Sequence, residues 1–143
     1  MIDLLDLHTH TIASGHAYNT LYEMAQSAAE KGLALYGCSE HAPAMPGSCH
    51  KFYFSNFDVI PRVIRGIPVL MGTELNILDH TGRVDLEDHY LQKIDYAIAS
   101  PHTPCIDNHG TVSDYTNAYL GVMENPLIHI IGHPDDSRLP ADW

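Results

Sequence analysis

Two histidines stand one residue apart near the start of the chain, in the stretch DLHTHT at residues 6–11. Counted from His10, further residues with metal-binding side chains follow after 31, 33, 28 and 31 positions, and these are His41, Glu74, His102 and His133. Imidazole combined with carboxylate suits zinc, manganese or iron better than calcium or magnesium. The spacing therefore predicts a transition-metal site assembled from distant parts of the chain.

The elements that must position these residues can be predicted from the same sequence. Short apolar runs predict strands at 4–8, 33–39, 67–75, 95–100 and 128–133. Helices are predicted at 20–32, 85–94 and 111–125, with a loop at 42–56 and a short helical stretch at 57–65. Apolar strands that alternate with helices are typical of a parallel sheet covered by helices, so the sequence predicts an α/β fold.

The candidate ligands fall at or near the ends of the predicted strands, about one per βα unit. In a barrel of parallel strands, all carboxyl ends open on the same face. Residues i and i+2 of a strand point to the same side, so His8 and His10 should both face that opening. Glu74 has two oxygens and could bridge two cations, while His16, in the loop after the first strand, could join His41 at another ion.

Composition excludes some classes of partner. Seven Lys and Arg residues against eighteen Asp and Glu residues give a formal charge of -11, which argues against a nucleic acid or an anionic membrane bound by bulk attraction. No apolar run approaches the length of a membrane span, and the first residues carry acids instead of a basic leader. The three cysteines show no CxxC spacing and are predicted to be reduced thiols, as expected of a cytoplasmic protein.

Three cationic side chains are candidates for binding a phosphate group. His50 and Lys51 lie in the loop after the second predicted strand, where a solvent-exposed pair is the alternative interpretation. Arg138 follows the last predicted strand and could offer a two-pronged hydrogen bond to phosphate. The other histidines fall outside the strand ends and are interpreted as surface or packing residues: His80, His89, His109 and His129.

The chain resembles the PHP (polymerase and histidinol phosphatase) family of metal-dependent phosphoesterases, in particular its YcdX-like bacterial phosphatase branch. The motifs are DLHTHT, SEH at 39–41, GTELNI at 72–77, SPH at 100–102 and IIGHPD at 130–135. The resemblance implies a distorted (β/α)7 barrel with up to three divalent metal ions. From the ligand types we expect zinc first, with manganese or iron as alternatives. It implies one ion at His8, His10 and Glu74, a second at Glu74, His102 and His133, and a third at His16 and His41.

One motif of the family is not found. The family pattern includes a late Asp-x-His motif that gives an aspartate to the first metal and a histidine to the third, whereas this chain stops at Trp143. We therefore expect residues 1–143 to form the N-terminal part of a PHP domain, a partial (β/α) barrel truncated after the fifth strand. The edges of such an open sheet are exposed, which predicts a homo-oligomer.

Hydrolysis of a phosphate ester assisted by bound metal is the favoured function, with a small phosphorylated substrate. Glu74 and His102 are assigned the catalytic role. Two alternatives stay open. One is a degenerate metal-binding PHP module without turnover, and the other is a polymerase-associated or nuclease-type PHP module, against which the acidic charge counts.

Overall fold

The computed structural model describes residues 4–107 and 109–143. Its strands are β1 (Leu5–Asp6), β2 (Leu35–His41), β3 (Val63–Ile64), β4 (Ile67–Ile77), β5 (Tyr96–Pro101) and β6 (Ile130–Ile131). Its α-helices are α1 (Leu21–Glu30), α2 (Asp88–Leu91) and α3 (Val112–Met123), and 3-10 helices cover Ile12–Ser14 and Lys51–Val59. Five strands pair in parallel in the order β1-β2-β4-β5-β6, and β3 forms an antiparallel hairpin with β4.

The two longer helices begin at the threonines that their sequences indicate. Thr20 accepts a hydrogen bond from the Glu23 backbone, and the Glu23 side chain accepts one from the Thr20 backbone, which forms a capping box at the start of α1. Thr111 and Asp114 make the same exchange at the start of α3. No helix in the described ranges is long and apolar enough to cross a membrane.

The sheet curls into a half-barrel, and Tyr96 on β5 indicates how strongly. Its hydroxyl donates a 2.6 Å hydrogen bond to the carbonyl of Leu7, just beyond β1. The ring passes over Gly37 and Gly72, where an added Cβ would lie 2.5 Å from the Tyr96 hydroxyl and 2.6 Å from the ring, respectively. Glycine at these positions lets one side chain of β5 reach across β4 and β2 to the chain beyond β1. The α/β fold and the partial barrel are confirmed.

The hydrophobic core joins the outer face of this half-barrel to the helices. Ala25 and Ala28 of α1 are buried with Cys38 of β2 and Met71 of β4 in one cluster, which also contains Val122 of α3. Because the helices and the sheet bury their apolar faces against each other, the carboxyl ends of the strands are left free to carry polar side chains.

Two predicted helical segments are helical over only part of their predicted extent. The segment 85–94 shortens to α2, because the Asp85 side chain accepts hydrogen bonds from Ala44 and Asn76 and holds its own backbone outside the helix. The segment 57–65 ends its 3-10 helix at Val59 and continues as β3, and Arg65 and Gly66 make the turn into β4 with φ angles of 54° and 84°. Gly66, a residue type that adopts a positive φ angle readily, is the sequence feature that indicates a hairpin turn in that stretch.

Candidate metal centre

The predicted ligands meet at the carboxyl ends of the strands. His41 is the last residue of β2, two residues beyond the predicted end of that strand, and Glu74 lies within β4 in register with it. His102 directly follows β5, and His133 comes two residues after β6. β1 is only two residues long, so His8 and His10 lie beyond it, in the segment that leads to the 3-10 helix Ile12–Ser14.

Glu74 is the centre of the cluster. Its carboxylate is fully buried, and one nitrogen of each of five imidazoles lies 2.9 to 3.2 Å from its oxygens. Oε1 faces Nε2 of three histidines, which are His8, His102 and His133. Oε2 faces Nε2 of His10 and Nδ1 of His41.

His16 adds a sixth imidazole beside this group. Its ring centroid lies 4.9 Å from that of His41 and 5.8 Å from that of His10. His10 and His41 are themselves stacked at 4.3 Å. All seven residues that the sequence proposes as ligands are therefore neighbours in the structure.

Two sets of nitrogen and oxygen atoms are close enough to share an ion. One set comes from His8, Glu74 and His133, and the other from His10, His41 and Glu74. Each set has its atoms within 4.8 Å of one another. These sets combine the same residues differently from the family resemblance, which pairs His8 with His10 and His133 with His102. Glu74 belongs to both sets, as expected of a bridging carboxylate.

The nitrogen and oxygen atoms around Glu74 are arranged to bind a cation and not to hydrogen-bond with one another. Among the described residues, Oε2 of Glu74 and Nδ1 of His41 are buried and have no hydrogen-bond partner, although they lie 3.0 Å apart. Burial lowers the pKa of His41 to about 3, so its imidazole is neutral and able to bind metal. Burial would raise the pKa of Glu74, but hydrogen bonds from imidazoles that carry a proton on the nitrogen facing it, such as His133, lower the pKa.

The protonation of His102 points to the same conclusion. The Asn76 amide nitrogen donates to the Ala42 carbonyl and to Asp85, so its oxygen is left to accept from Nδ1 of His102 at 2.8 Å. A neutral His102 then carries its proton on Nδ1 and turns the lone pair of Nε2 toward Glu74 Oε1 at 3.2 Å. Two lone pairs that face each other repel, and a cation between them removes the repulsion.

His133 is held in an unusual backbone conformation. Its φ angle of 52° lies in the left-handed region, which residues with a side chain rarely adopt. The Tyr119 hydroxyl donates a 2.9 Å hydrogen bond to the His133 carbonyl and fixes this turn. The hydrogen bond to Glu74 raises the pKa of the His133 imidazole. Backbone strain of this kind is concentrated at functional sites, and here it aims the imidazole at Glu74.

The cluster lies at the bottom of an open cavity of about 560 Å³. Met45, Thr103, Pro104 and Arg138 complete its wall. The Arg138 guanidinium makes a two-pronged pair with Asp136, with Nη2–Oδ2 at 2.6 Å and Nε–Oδ1 at 2.9 Å. Arg138 holds the pKa of Asp136 down to about 2.

The other two candidates for phosphate binding do not line this cavity. Nδ1 of His50 accepts a hydrogen bond from the Phe52 backbone at the start of the 3-10 helix. Nζ of Lys51 lies 3.1 Å from the carboxylate of Glu87. The structure therefore brings Arg138 to the histidine cluster and leaves His50 and Lys51 outside it.

Four polar residues behind the ligands were missed by the sequence analysis. Ser14, Glu40 and Asn76 are fully buried, and Asp85 is half-buried. One signal was present, because Glu40 is a charged residue directly after an apolar strand and must find donors if it is buried. The roles of Ser14 and Asp85 depend on contacts between distant segments, and no local pattern marks them.

Comparison with known proteins identifies the family. The model of the PHP domain matches residues 6–142. A probable phosphatase of Caldicellulosiruptor bescii is 52% identical over 138 residues, which are 96% of this chain and 57% of that protein. Probable phosphatases of Clostridium novyi and Acetivibrio thermocellus are 47% and 41% identical over 139 residues, which are 97% of this chain and 57% of each protein.

The chain therefore spans a little more than half the length of these curated relatives. The matched region contains every residue of the histidine cluster around Glu74. A match of the family model to nearly the whole chain, together with relatives of this identity, establishes the relationship. The protein belongs to the PHP domain family.

Proposed function

We propose that this protein hydrolyses phosphate esters at a centre of divalent metal ions held around Glu74. The observation that carries the proposal is the convergence of five imidazole nitrogens on one buried carboxylate. The relatives named probable phosphatases support the phosphatase class. Zinc is the first choice of metal, with manganese or iron as alternatives, because the ligands are imidazoles and a carboxylate.

Residues of this chain would hold up to three ions. Glu74 would bridge two of them, with His8, His10, His41, His102 and His133 as further ligands and His16 at the outer edge. Bound divalent cations would supply Lewis-acid stabilisation of the negative charge on the phosphoryl oxygens. Glu74 and His102 are the proposed catalytic residues, since they would hold the ions that stabilise the charge of the substrate phosphate. A positive centre of this kind also gives an acidic protein a local site for an anion.

The proposal is tested by measuring turnover of p-nitrophenyl phosphate by the purified protein with zinc, manganese or iron(II) and after chelation. We expect turnover that depends on metal and disappears with chelator. A parallel assay on a single-stranded DNA end distinguishes the nuclease-type alternative, which predicts faster release of nucleotides than of p-nitrophenol. Bound metal without turnover in either assay would favour the degenerate module.

Arg138 is the proposed anchor for the substrate phosphate. Its side chain is 71% exposed at the cavity wall. Asp136 engages Nε and one proton of Nη2, which leaves the Nη1–Nη2 edge of the guanidinium for a phosphate. Lysine cannot reproduce this fork. We expect Arg138→Lys to raise KM for a phosphomonoester about tenfold and to change kcat little, because an ammonium group offers phosphate one point of attachment in place of two parallel N–H donors.

The matched control for this substitution is Arg83→Lys. Arg83 makes a similar pair with Asp79, at 2.9 Å, outside the cavity. Steady-state kinetics of the two variants and the parent provide the comparison. An unchanged KM in Arg138→Lys, or an equal rise in Arg83→Lys, would contradict the assignment.

We further propose that the protein forms a homo-oligomer through the open edges of its sheet. In the described residues, β1 and β6 are the outer strands, and Leu5 on β1 is 57% exposed. Light scattering at micromolar concentration should report a dimer or a larger species, and Leu5→Lys should dissociate it. The control is Leu120→Lys on α3, where Leu120 is 56% exposed. A monodisperse monomer would refute this proposal.

We also propose a cytoplasmic location. Cys38, Cys49 and Cys105 are all free thiols in the structure, and free thiols are typical of reducing compartments. A small phosphorylated metabolite would be available there, whereas the net charge of -11 disfavours a membrane surface or a nucleic acid as partner.

A further inference from the structure

Glu40 is a buried carboxylate whose side chain contacts none of the proposed metal ligands. The proposed metal centre therefore gives it no direct role. It lies directly before His41 in β2 and is fully buried. Its Oε1 accepts from the hydroxyl of Thr11 at 2.5 Å and from the thiol of Cys38 at 3.1 Å. Its Oε2 accepts from the hydroxyl of Ser14 at 2.5 Å. A buried charge with this many donors is stable, but these contacts alone do not explain why a charge is there.

Ser14 connects Glu40 to the histidine cluster. Its hydroxyl oxygen accepts a hydrogen bond from the backbone N–H of His41 at 3.0 Å and lies 3.2 Å from Nδ1 of His10. A serine hydroxyl has one proton and two lone pairs. A carboxylate can only accept, so the proton of Ser14 is directed at Glu40. One lone pair serves His41, and the second is left for His10.

This sequence of hydrogen bonds fixes the tautomer of His10. Because Ser14 has only a lone pair to offer, Nδ1 of His10 must carry the proton and donate. Nε2 of His10 is then unprotonated and faces Oε2 of Glu74 at 3.2 Å. A metal ligand of the imidazole type needs this unprotonated nitrogen.

We propose that Glu40 is a positioning residue, which acts through Ser14 to keep Nε2 of His10 free for metal. The benefit to metal binding rests on the proposed function. The direction of the hydrogen bonds among Glu40, Ser14 and His10 does not depend on bound metal. Glu40 itself touches neither metal nor substrate. Because a carboxylate can only accept, the charged form of Glu40 sets the direction of the hydrogen bonds from His10 through Ser14. A neutral amide of the same shape would not set it.

The variant Glu40→Gln tests this direction with almost no change of volume. The Thr11 N–H lies 3.1 Å from both oxygens of Glu40, but the Thr11 hydroxyl and the Cys38 thiol both donate to Oε1, so the amide oxygen belongs at that position. The amide NH2 then replaces Oε2 and faces Ser14 as a donor. Ser14 must accept from it and can turn its own proton toward Nδ1 of His10. The proton of His10 then moves to Nε2, and that nitrogen can no longer bind metal.

The readout is the ¹⁵N NMR spectrum of the histidine rings in the chelated, metal-free protein, followed by titration with zinc. In the parent we expect His10 protonated at Nδ1, and in Glu40→Gln protonated at Nε2, with zinc affinity at least about tenfold lower. The control is Glu87→Gln, which removes the same charge from an exposed residue paired with Lys51. It should change neither the tautomer nor the affinity.

Ser14→Ala provides a second variant if Glu40→Gln fails to fold. Without the hydroxyl, Nδ1 of His10 loses its acceptor, and the ring should become a mixture of both tautomers. A His10 that lacks the proton on Nδ1 in the parent, or a tautomer unchanged in both variants, would overturn the role of Glu40. A protein that binds no zinc, manganese or iron but shows the expected tautomers would refute the proposed function, while the control of the His10 tautomer by Glu40 would stand.

Discussion

Replacing Glu74 by alanine is expected to abolish metal-dependent hydrolysis, so that turnover falls to the level of the chelated parent. The reason is geometric, since the nitrogens of His8, His10, His41, His102 and His133 share this one carboxylate as their common neighbour. Without it, no anionic ligand remains between the two sets of candidate donor atoms. Kinetics on p-nitrophenyl phosphate across a range of zinc and manganese concentrations provide the measurement.

Two further variants make this result specific. Glu74→Gln keeps the volume of the side chain and removes its charge, so it should lose activity without a cavity in the core. Glu30→Ala removes the same carboxylate from the exposed end of α1, where it accepts only from Gln26 among the described contacts, and should retain parental turnover. Parental turnover in Glu74→Ala would rule out a metal centre at this position.

Metal binding is expected to stabilise the fold strongly. The ligands come from segments that are distant in sequence, so the complete site exists only in the folded state. A ligand present at a thousand times its dissociation constant raises the free energy of unfolding by about 4 kcal/mol. For a domain of this size, the thermal midpoint should rise by roughly 10 °C on addition of zinc to chelated protein.

Calorimetry or circular dichroism of the chelated and zinc-loaded protein measures this shift. The same experiment on Glu74→Ala serves as the control, because the rise should be absent when the bridging ligand is missing. Magnesium, which prefers oxygen ligands in octahedral geometry, should produce a much smaller shift than zinc. Equal midpoints with and without zinc, manganese and iron would contradict a tightly bound metal.

Much of the fold and of the clustering of the candidate ligands was predictable from the sequence because both depend on local patterns. The apolar runs of β2, β4 and β5 and the capping residues of α1 and α3 are properties of short segments. The near-regular spacing of His10, His41, Glu74, His102 and His133 reflects one ligand per βα unit. This spacing predicted that the five residues would lie together without knowledge of the curvature of the sheet, and His8 and His16 were added from their positions beside His10.

The parts that were not predictable depend on contacts between distant segments. The sequence around Asp85 predicts a helix. In the structure the Asp85 side chain accepts hydrogen bonds from Asn76 and Ala44, and α2 is shorter because of them. Lys51 is a candidate phosphate ligand by its position in the sequence, but in the structure it pairs with Glu87. The sharing of ligands between ions likewise depends on distances of a few ångströms, which the spacing of residues in the sequence does not determine.

The most direct test of the metal centre is the metal content of the protein purified without chelator. Elemental analysis of the parent and of Glu74→Ala, at matched protein concentration, reports zinc, manganese and iron per chain. The structure predicts at least one stoichiometric transition metal in the parent and a clear deficit in the variant, because Glu74 contributes to both candidate sets of ligands. A parent that contains no stoichiometric zinc, manganese or iron, and acquires none on reconstitution, would contradict the metal centre.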